Sequence, residues 1–267
     1  MDKDYIKTNL KLWNDKTKVH INSDFYDVEG FKHGKSSLNP IELELLGNVQ
    51  ELDILHLQCH FGLDSMSLSR QGANVTAVDL SDEAIKEAVR LRDELGLNTK
   101  FIQSDVYALK DKLYNKFDRV FTSYGVLGWL PDMHKWAEIV NHFLRPDGKL
   151  ILVEFHPVVW MFNPNFSRIQ YPYSGKESIV ETIEGTYADN DAPISNKSVS
   201  WNHGLAKVIK ALLDKGLEII HFDEYNHSPY DCFQNTSMTT EGQYQIKGLE
   251  NKIPMLYSLK AQKKSKD

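Results

Sequence analysis

Two aspartates, Asp79 at the end of an apolar run and Asp105 just past the next strand candidate, follow a segment that carries Gln58, His60, Gly62 and Asp64. In an open parallel sheet, ligands bind beyond the carboxyl ends of the strands, where the helix after the first strand offers free backbone N–H groups. The run Ile54-Leu55-His56-Leu57-Gln58-Cys59-His60-Phe61-Gly62-Leu63-Asp64 has that place. Gly62 lets backbone pass close to a ligand, and Asp64 is a candidate cap for the next helix. Asp79, seventeen residues after Gly62, ends an apolar strand. It is placed to accept both hydroxyls of a ribose; the alternative is an N-terminal partner for the following helix. Asp105, just past a third strand, can accept the exocyclic amine of adenine while the backbone at Val106 addresses the ring. Its plainer readings are a helix cap or a surface carboxylate. The Gly-X-Gly-X-X-Gly run that brings backbone against a pyrophosphate is absent, which argues for a ligand without phosphate.

Proton transfer near neutral pH falls most readily to histidine. His156 follows directly on a fifth strand and His203 leads a later helix; these are the two catalytic candidates, with a hydrogen-bonded structural role as the alternative for each. Tyr124, Trp129, Trp160 and Trp201 fall near the same edge, where aromatic faces wall apolar pockets and attract cations. Core packing is the alternative for all four and the preferred reading of Trp129. His20 and Tyr26 belong to an N-terminal segment in which Phe25, Tyr26 and Phe31 lie among Gly30 and Gly34, a pattern suited either to a cover over a site or to a packed extension.

The elements that must hold these side chains are read from periodicity. Strand candidates are Leu52 to Leu57, Ala73 to Asp79, Thr99 to Gln103, Asp118 to Ser123 and Lys149 to Phe155, with helical spacing over Asp64 to Arg70, Ser81 to Leu95 and Asp132 to Phe143. This alternation predicts an α/β fold with parallel strands joined by crossover helices. Ser81 caps the second of these helices and Gly96 stops it. Arg145-Pro146-Asp147-Gly148 reads as a tight link from helix to strand. Prolines and aromatics from 157 to 202 break the rhythm and mark an insertion, with an alternating stretch from Glu177 to Tyr187 that suits strands outside the main sheet. A helix from Leu205 to Gly216 and strands at Leu217 to Phe222 and Ile253 to Leu259 complete the core. One domain over 1–267 is expected: 1–50 an N-terminal lid or extension, 51–156 and 203–262 the core, and 157–202 an insertion on the substrate side.

The balance of charge narrows the partners. The 267 residues carry a net charge of -6, and the one dense basic run, Lys260 to Lys266, reads as a solvated tail. A groove that tracks phosphates needs more, so nucleic acid is not an expected partner. The apolar stretches are strand-sized and no signal peptide is read, so a cytoplasmic protein without membrane contact is expected. Two cysteines, Cys59 and Cys232, supply neither a disulfide framework nor a four-ligand zinc site.

With these residues in view, the chain resembles the class I S-adenosylmethionine-dependent methyltransferases, and more closely an uncharacterised bacterial small-molecule branch with the Leu57-Gln58-Cys59-His60-Phe61-Gly62 loop. Further matching runs are Ser123 to Asp132, Val153 to Pro157, Trp201 to His203 and Ile253 to Lys260. The resemblance implies a Rossmann-like, doubly wound, seven-stranded and mostly parallel sheet with an antiparallel last strand, an N-terminal helical extension and an insertion after strand 5. It implies S-adenosylmethionine as cofactor, S-adenosylhomocysteine as product and a small-molecule acceptor. Carried over residue by residue, it assigns Asp79 to the ribose, Asp105 and Val106 to the adenine, and Tyr124 with Gly125 to the sulfonium side, with Leu80 a further cofactor contact. Most of the wider family has an acid at His56 and glycines at Gln58 and His60, so here only Gly62 keeps the usual loop. Gln58 and His60 then either touch the cofactor or stand behind it. Substrate contacts are expected from His20, Tyr26, Trp160 and Trp201. Methyl transfer needs positioning rather than a metal, and no metal site is expected. The alternative reading is a non-catalytic protein of the same fold that binds the cofactor or its product.

Overall fold

A computed structural model describes residues 4–264. The chain begins with α1 (Asp4–His20), whose buried residues Leu12, Lys16 and His20 recur at helical spacing and share one face. Two short helices follow, α2 (Val28–Lys32) and α3 (Pro40–Leu46), where the sequence reads as loop. Local capping accounts for both. The Asp27 carboxylate accepts from the Gly30 N–H at 3.0 Å, Pro40 opens α3, and Glu42 accepts from the Asn39 N–H at 2.7 Å.

The core then alternates: β1 (Asp53–Leu57), α4 (Leu63–Arg70), β2 (Asn74–Asp79), α5 (Asp82–Glu94), β3 (Lys100–Gln103), a 3₁₀ turn at Val106–Asp111, β4 (Phe117–Ser123), α6 (Met133–Phe143) and β5 (Leu144–Phe155). An antiparallel hairpin, β6 (Ile179–Glu184) and β7 (Ser195–Ser200), stands outside the main sheet. After α7 (Leu205–Asp214) and β8 (Leu217–Tyr225) comes a small ribbon of β9 (Thr236–Met238) and β10 (Tyr244–Ile246), then β11 (Leu256–Lys263). The main sheet has seven strands in the order β3-β2-β1-β4-β5-β11-β8. β1 to β5 pair in parallel, while β11 runs antiparallel to both β5 and β8, which is the sheet the family resemblance implies.

Side chains alternate across the sheet, so each strand feeds two cores. Leu150 and Leu152 join the cluster beneath α6 and α7, whereas Ile151 and Val153 join the one beneath α3 and α4. All four are fully buried, as in a strand covered on both faces. Because the chain winds outward from β1 to β3 and then returns to place β4 on the other flank of β1, a crevice opens between the carboxyl ends of β1 and β4.

α1 and the hairpin close over this crevice together. The Asn9 amide donates to Val199 O at 2.8 Å and accepts from Val199 N at 3.0 Å, imitating the edge of a neighbouring strand. Asn14 bonds Asp82 and Ser81, tying the same helix to the start of α5.

Three local expectations are corrected. Asp64 does not cap α4: Gly62 occupies that position, and the carboxylate turns inward to accept from Ser37 Oγ at 2.6 Å and Ser123 Oγ at 3.3 Å. The Arg145–Gly148 segment is not a free link but an irregularity within β5, where pairing shifts between Phe117 and Arg119. Lys260 is no tail residue, because β11 pairs with β5 as far as Gln262 and with β8 as far as Lys263; Lys266 lies outside the described residues. Among the described residues no helix is long and apolar enough to cross a membrane.

Candidate cofactor and substrate site

The β1–α4 loop takes a glycine-like path with few glycines. Gln58, His60 and Gly62 have φ of 57°, 51° and 80°. At the tip of β4, Tyr124 and Gly125 do likewise at 48° and 75°. A left-handed residue with a side chain costs roughly 1–2 kcal/mol, and such residues persist where their surroundings over-determine them. Here each is pinned. Gln58 Nε2 donates to Val126 O at 2.8 Å, His60 N donates to Asp79 Oδ2 at 2.8 Å, and the Tyr124 hydroxyl donates to Glu42 Oε2 at 2.6 Å.

Gly62 has a further reason to lack a side chain, because a Cβ there would run into the Phe101 ring. Gly62→Ala is therefore expected to lose at least about 1–2 kcal/mol of stability from backbone strain alone. Urea denaturation measures this, and an unchanged midpoint would show that the loop does not need its left-handed turn.

These tips surround one cavity of about 1050 Å³. That is at the upper end of the roughly 300–1,000 Å³ typical of small-molecule sites and leaves room for two ligands. Gln58, His60, Gly62, Asp79, Leu80, Asp105, Val106, Tyr124 and Gly125 all line it, as do Tyr26, Trp160 and Trp201. Asp79 Oδ1 also accepts from Ser81 N at 2.8 Å, and Asp105 accepts from Tyr107 N at 3.1 Å. Both acids thus order the start of the next helical segment while facing the cavity, and each oxygen keeps a further lone pair for a ligand. Burial raises the Asp79 carboxyl to about 6, against three backbone hydrogen bonds that favour its charge.

Below the loop, the position where the wider family has an acid holds His56, fully enclosed, its Nδ1 at 2.7 Å from Ser65 Oγ and its pKa pushed down by burial to about 3. Acid is supplied nearby instead. Burial raises Asp64 to about 6; burial, then the Asp64 charge, raise Glu42 to about 7.

The two expected catalytic histidines are not brought to the cavity. His156 packs beneath the end of β5, with Nε2 2.7 Å from Glu224 Oε1 and Nδ1 accepting from Val158 N at 3.2 Å. His203 is buried with Nε2 donating to Leu130 O at 2.7 Å, and burial pushes its pKa down to about 4. His20 stands behind the wall: its Nδ1 is 2.9 Å from His60 Nε2, and burial first, then His60 and Lys16, depress its pKa to about 2. The cavity-facing member of that pair is His60, whose Nδ1 is buried without a hydrogen-bond partner, as is Oε1 of Gln58.

Sequence reasoning passed over two residues that matter here. Lys16 lines the cavity from α1, and its signal was a lysine on the face shared by Leu12 and His20. Glu154 is the single charge in the apolar end of β5; its Oε2 accepts from Val126 N at 2.8 Å and Leu127 N at 2.9 Å, and its Oε1 from the N–H groups of Gly125 and Phe155. It thereby holds the β4 tip in the shape that Tyr124 and Gly125 require.

A doubly wound sheet with acids at neighbouring strand tips, a first loop without the Gly-X-Gly-X-X-Gly run and a covered cavity defines a Rossmann-like α/β protein. Residues 54–148 match the family described as methyltransferase domain. The ubiquinone biosynthesis O-methyltransferase of Xylella fastidiosa strain M23 is 31% identical over 186 residues, 67% of this chain and 71% of that protein. A protein of the same name from Xanthomonas euvesicatoria is 33% identical over 131 residues, 48% of this chain and 54% of its own length, so the match spans about half of it. Among solved structures, a DhpI complex with S-adenosylhomocysteine aligns over 100% of both chains at 18% identity and a TM-score of 0.61. An S-adenosylmethionine-dependent methyltransferase from Clostridium acetobutylicum covers 95% of this chain and 100% of its own, at 15% identity and a TM-score of 0.59. At such identities these two speak for the fold. The chain belongs to the class I S-adenosylmethionine-dependent methyltransferases.

Proposed function

We propose that the protein methylates a small molecule enclosed between α1, the β6–β7 hairpin and the sheet. The observation that supports this most is that Asp79 and Asp105, at the tips of adjacent strands, face the same cavity as the ring-lined wall of Trp13, Trp129 and Tyr187. A cavity roofed in this way suits an acceptor that can be wholly surrounded, and a net charge of -6 does not suit a polyanion.

S-adenosylmethionine supplies a methyl group on a positively charged sulfur, which an acceptor atom displaces in line. The protein's part is to bind, orient and exclude water. In this reading Asp79 accepts from the ribose hydroxyls with Leu80 alongside, Asp105 and Val106 address the adenine, and Tyr124 and Gly125 lie on the sulfonium side. Gln58 and His60 meet the amino-acid tail with the two polar atoms that lack partners in the protein. Tyr26, Trp160 and Trp201 wall the acceptor. His60 is backed by His20 through its Nε2, and His156 and His203 serve the scaffold.

Calorimetry with S-adenosylhomocysteine, followed by incubation of the protein with S-adenosylmethionine and a small-molecule extract, tests the proposal. Binding together with an extract component heavier by one methylene is expected. Binding with no methylated product from any extract would reduce the role to holding the cofactor.

A further inference from the structure

We propose that Lys16 determines which acceptor the enzyme takes, its ammonium group pairing with a carboxylate carried on a flat apolar body. This rests on the methyl-transfer reading above and names the substrate class of that same cavity.

Lys16 is only 4% exposed and lines the cavity. Its Nζ lies 4.9 Å from the ring centre of Trp13, 5.8 Å from that of Trp129 and 5.4 Å from that of Tyr187. No described carboxylate forms an ion pair with it. A buried charge is normally paired, since desolvation opposes an isolated ammonium and ring faces offset only part of that penalty. Burial pushes its pKa down to about 8. The titratable neighbours it perturbs, His20 and His60, are themselves held neutral by burial.

Segments other than the two acid-bearing strands surround this charge. Its rings come from α1, the β4–α6 connection and the segment after β6, not from the strand tips that carry Asp79 and Asp105. The cofactor brings a sulfonium into the same chamber, and two cations in a poorly solvated space repel. An acceptor carrying a carboxylate relieves both charges, and the rings favour a planar body behind it.

The test uses the whole protein saturated with S-adenosylhomocysteine, titrated with benzoate, 4-hydroxybenzoate and the matching amides. The parent is expected to prefer carboxylate to amide by about tenfold or more, the scale of one desolvated charge pair. Lys16→Met removes that preference and leaves S-adenosylhomocysteine affinity within about threefold, and Lys16→Arg keeps the preference. Thermal melting checks folding; Lys16→Met is expected to be at least as stable as the parent, because it removes an uncompensated charge. A parent that binds amide and carboxylate alike, or neither, overturns the proposal. So does a Lys16→Met variant that loses S-adenosylhomocysteine affinity but keeps that for 5′-methylthioadenosine, which lacks the amino-acid tail: Lys16 would then serve the cofactor's own carboxylate. Failure of the parent to bind S-adenosylhomocysteine at all is a separate result, and counts against the cofactor reading.

Discussion

Asp79→Ala is expected to weaken S-adenosylhomocysteine binding by about 1–3 kcal/mol, roughly 5- to 150-fold, the usual loss for hydrogen bonds to a charged acceptor. Two effects add. In the proposed role the ribose hydroxyls lose their acceptor, and the His60 N–H loses its bond to the Asp79 carboxylate. The carboxylate also makes binding depend on pH. Burial raises Asp79 to about 6, so the empty protein carries it ionised above that pH and protonated below. Only the ionised form accepts from both hydroxyls, so affinity is expected to fall as pH drops through about 6, by up to tenfold per unit. Stability runs the other way for this group: its pKa is higher folded than unfolded, so the contribution falls as pH rises from about 4 to about 6. Asp79→Asn should flatten the affinity profile. Calorimetry from pH 5 to pH 8 measures both, and a profile unaltered in Asp79→Asn would remove Asp79 from the ribose.

Glu154→Ala should produce the largest loss of stability, about 3–5 kcal/mol, in the range seen when a buried charged partner is removed. Four backbone N–H groups converge on this one carboxylate, and alanine leaves them buried and unpaired. Glutamine keeps one acceptor oxygen but turns an NH₂ against two of those donors, so Glu154→Gln should fall between alanine and the parent. Because the same bonds hold Tyr124 and Gly125, cofactor affinity should fall along with stability. Urea denaturation gives the first quantity and calorimetry on the folded fraction the second. A loss below about 1 kcal/mol for Glu154→Ala would mean that the β4 tip is held by its other contacts.

The placement of Asp79 and Asp105 was readable because the first closes an apolar run and the second follows just past the next strand, and both signals are local. Ser81 was readable as a cap for the same reason: cap and first turn lie within a few residues of one another. Asp64 looked like such a cap, and the prediction failed because Ser37 and Ser123, far away in the chain, offer its carboxylate better partners inside the crevice. His156 and His203 looked available for catalysis at a strand end and a helix start. Folding placed Glu224 beside the first and the Leu130 carbonyl beside the second. Lys16 was passed over because a lysine in an amphipathic helix usually points to water. Only the rings of Trp129 and Tyr187, contributed by two other segments, show that this one does not.

What the sequence determined by itself is the alternation of strands and helices, and with it a doubly wound sheet whose tips carry two acids. Those signals are periodic and short-ranged, and hydrophobic burial makes them nearly independent of the rest of the chain. The tertiary structure decided which polar side chains meet inside the cavity, and that Gln58, His60 and Tyr124 follow a path normally left to glycine. The reason is physical: a left-handed backbone or a buried ammonium is unfavourable on its own, and is stable only where groups from distant segments surround it and outweigh its cost.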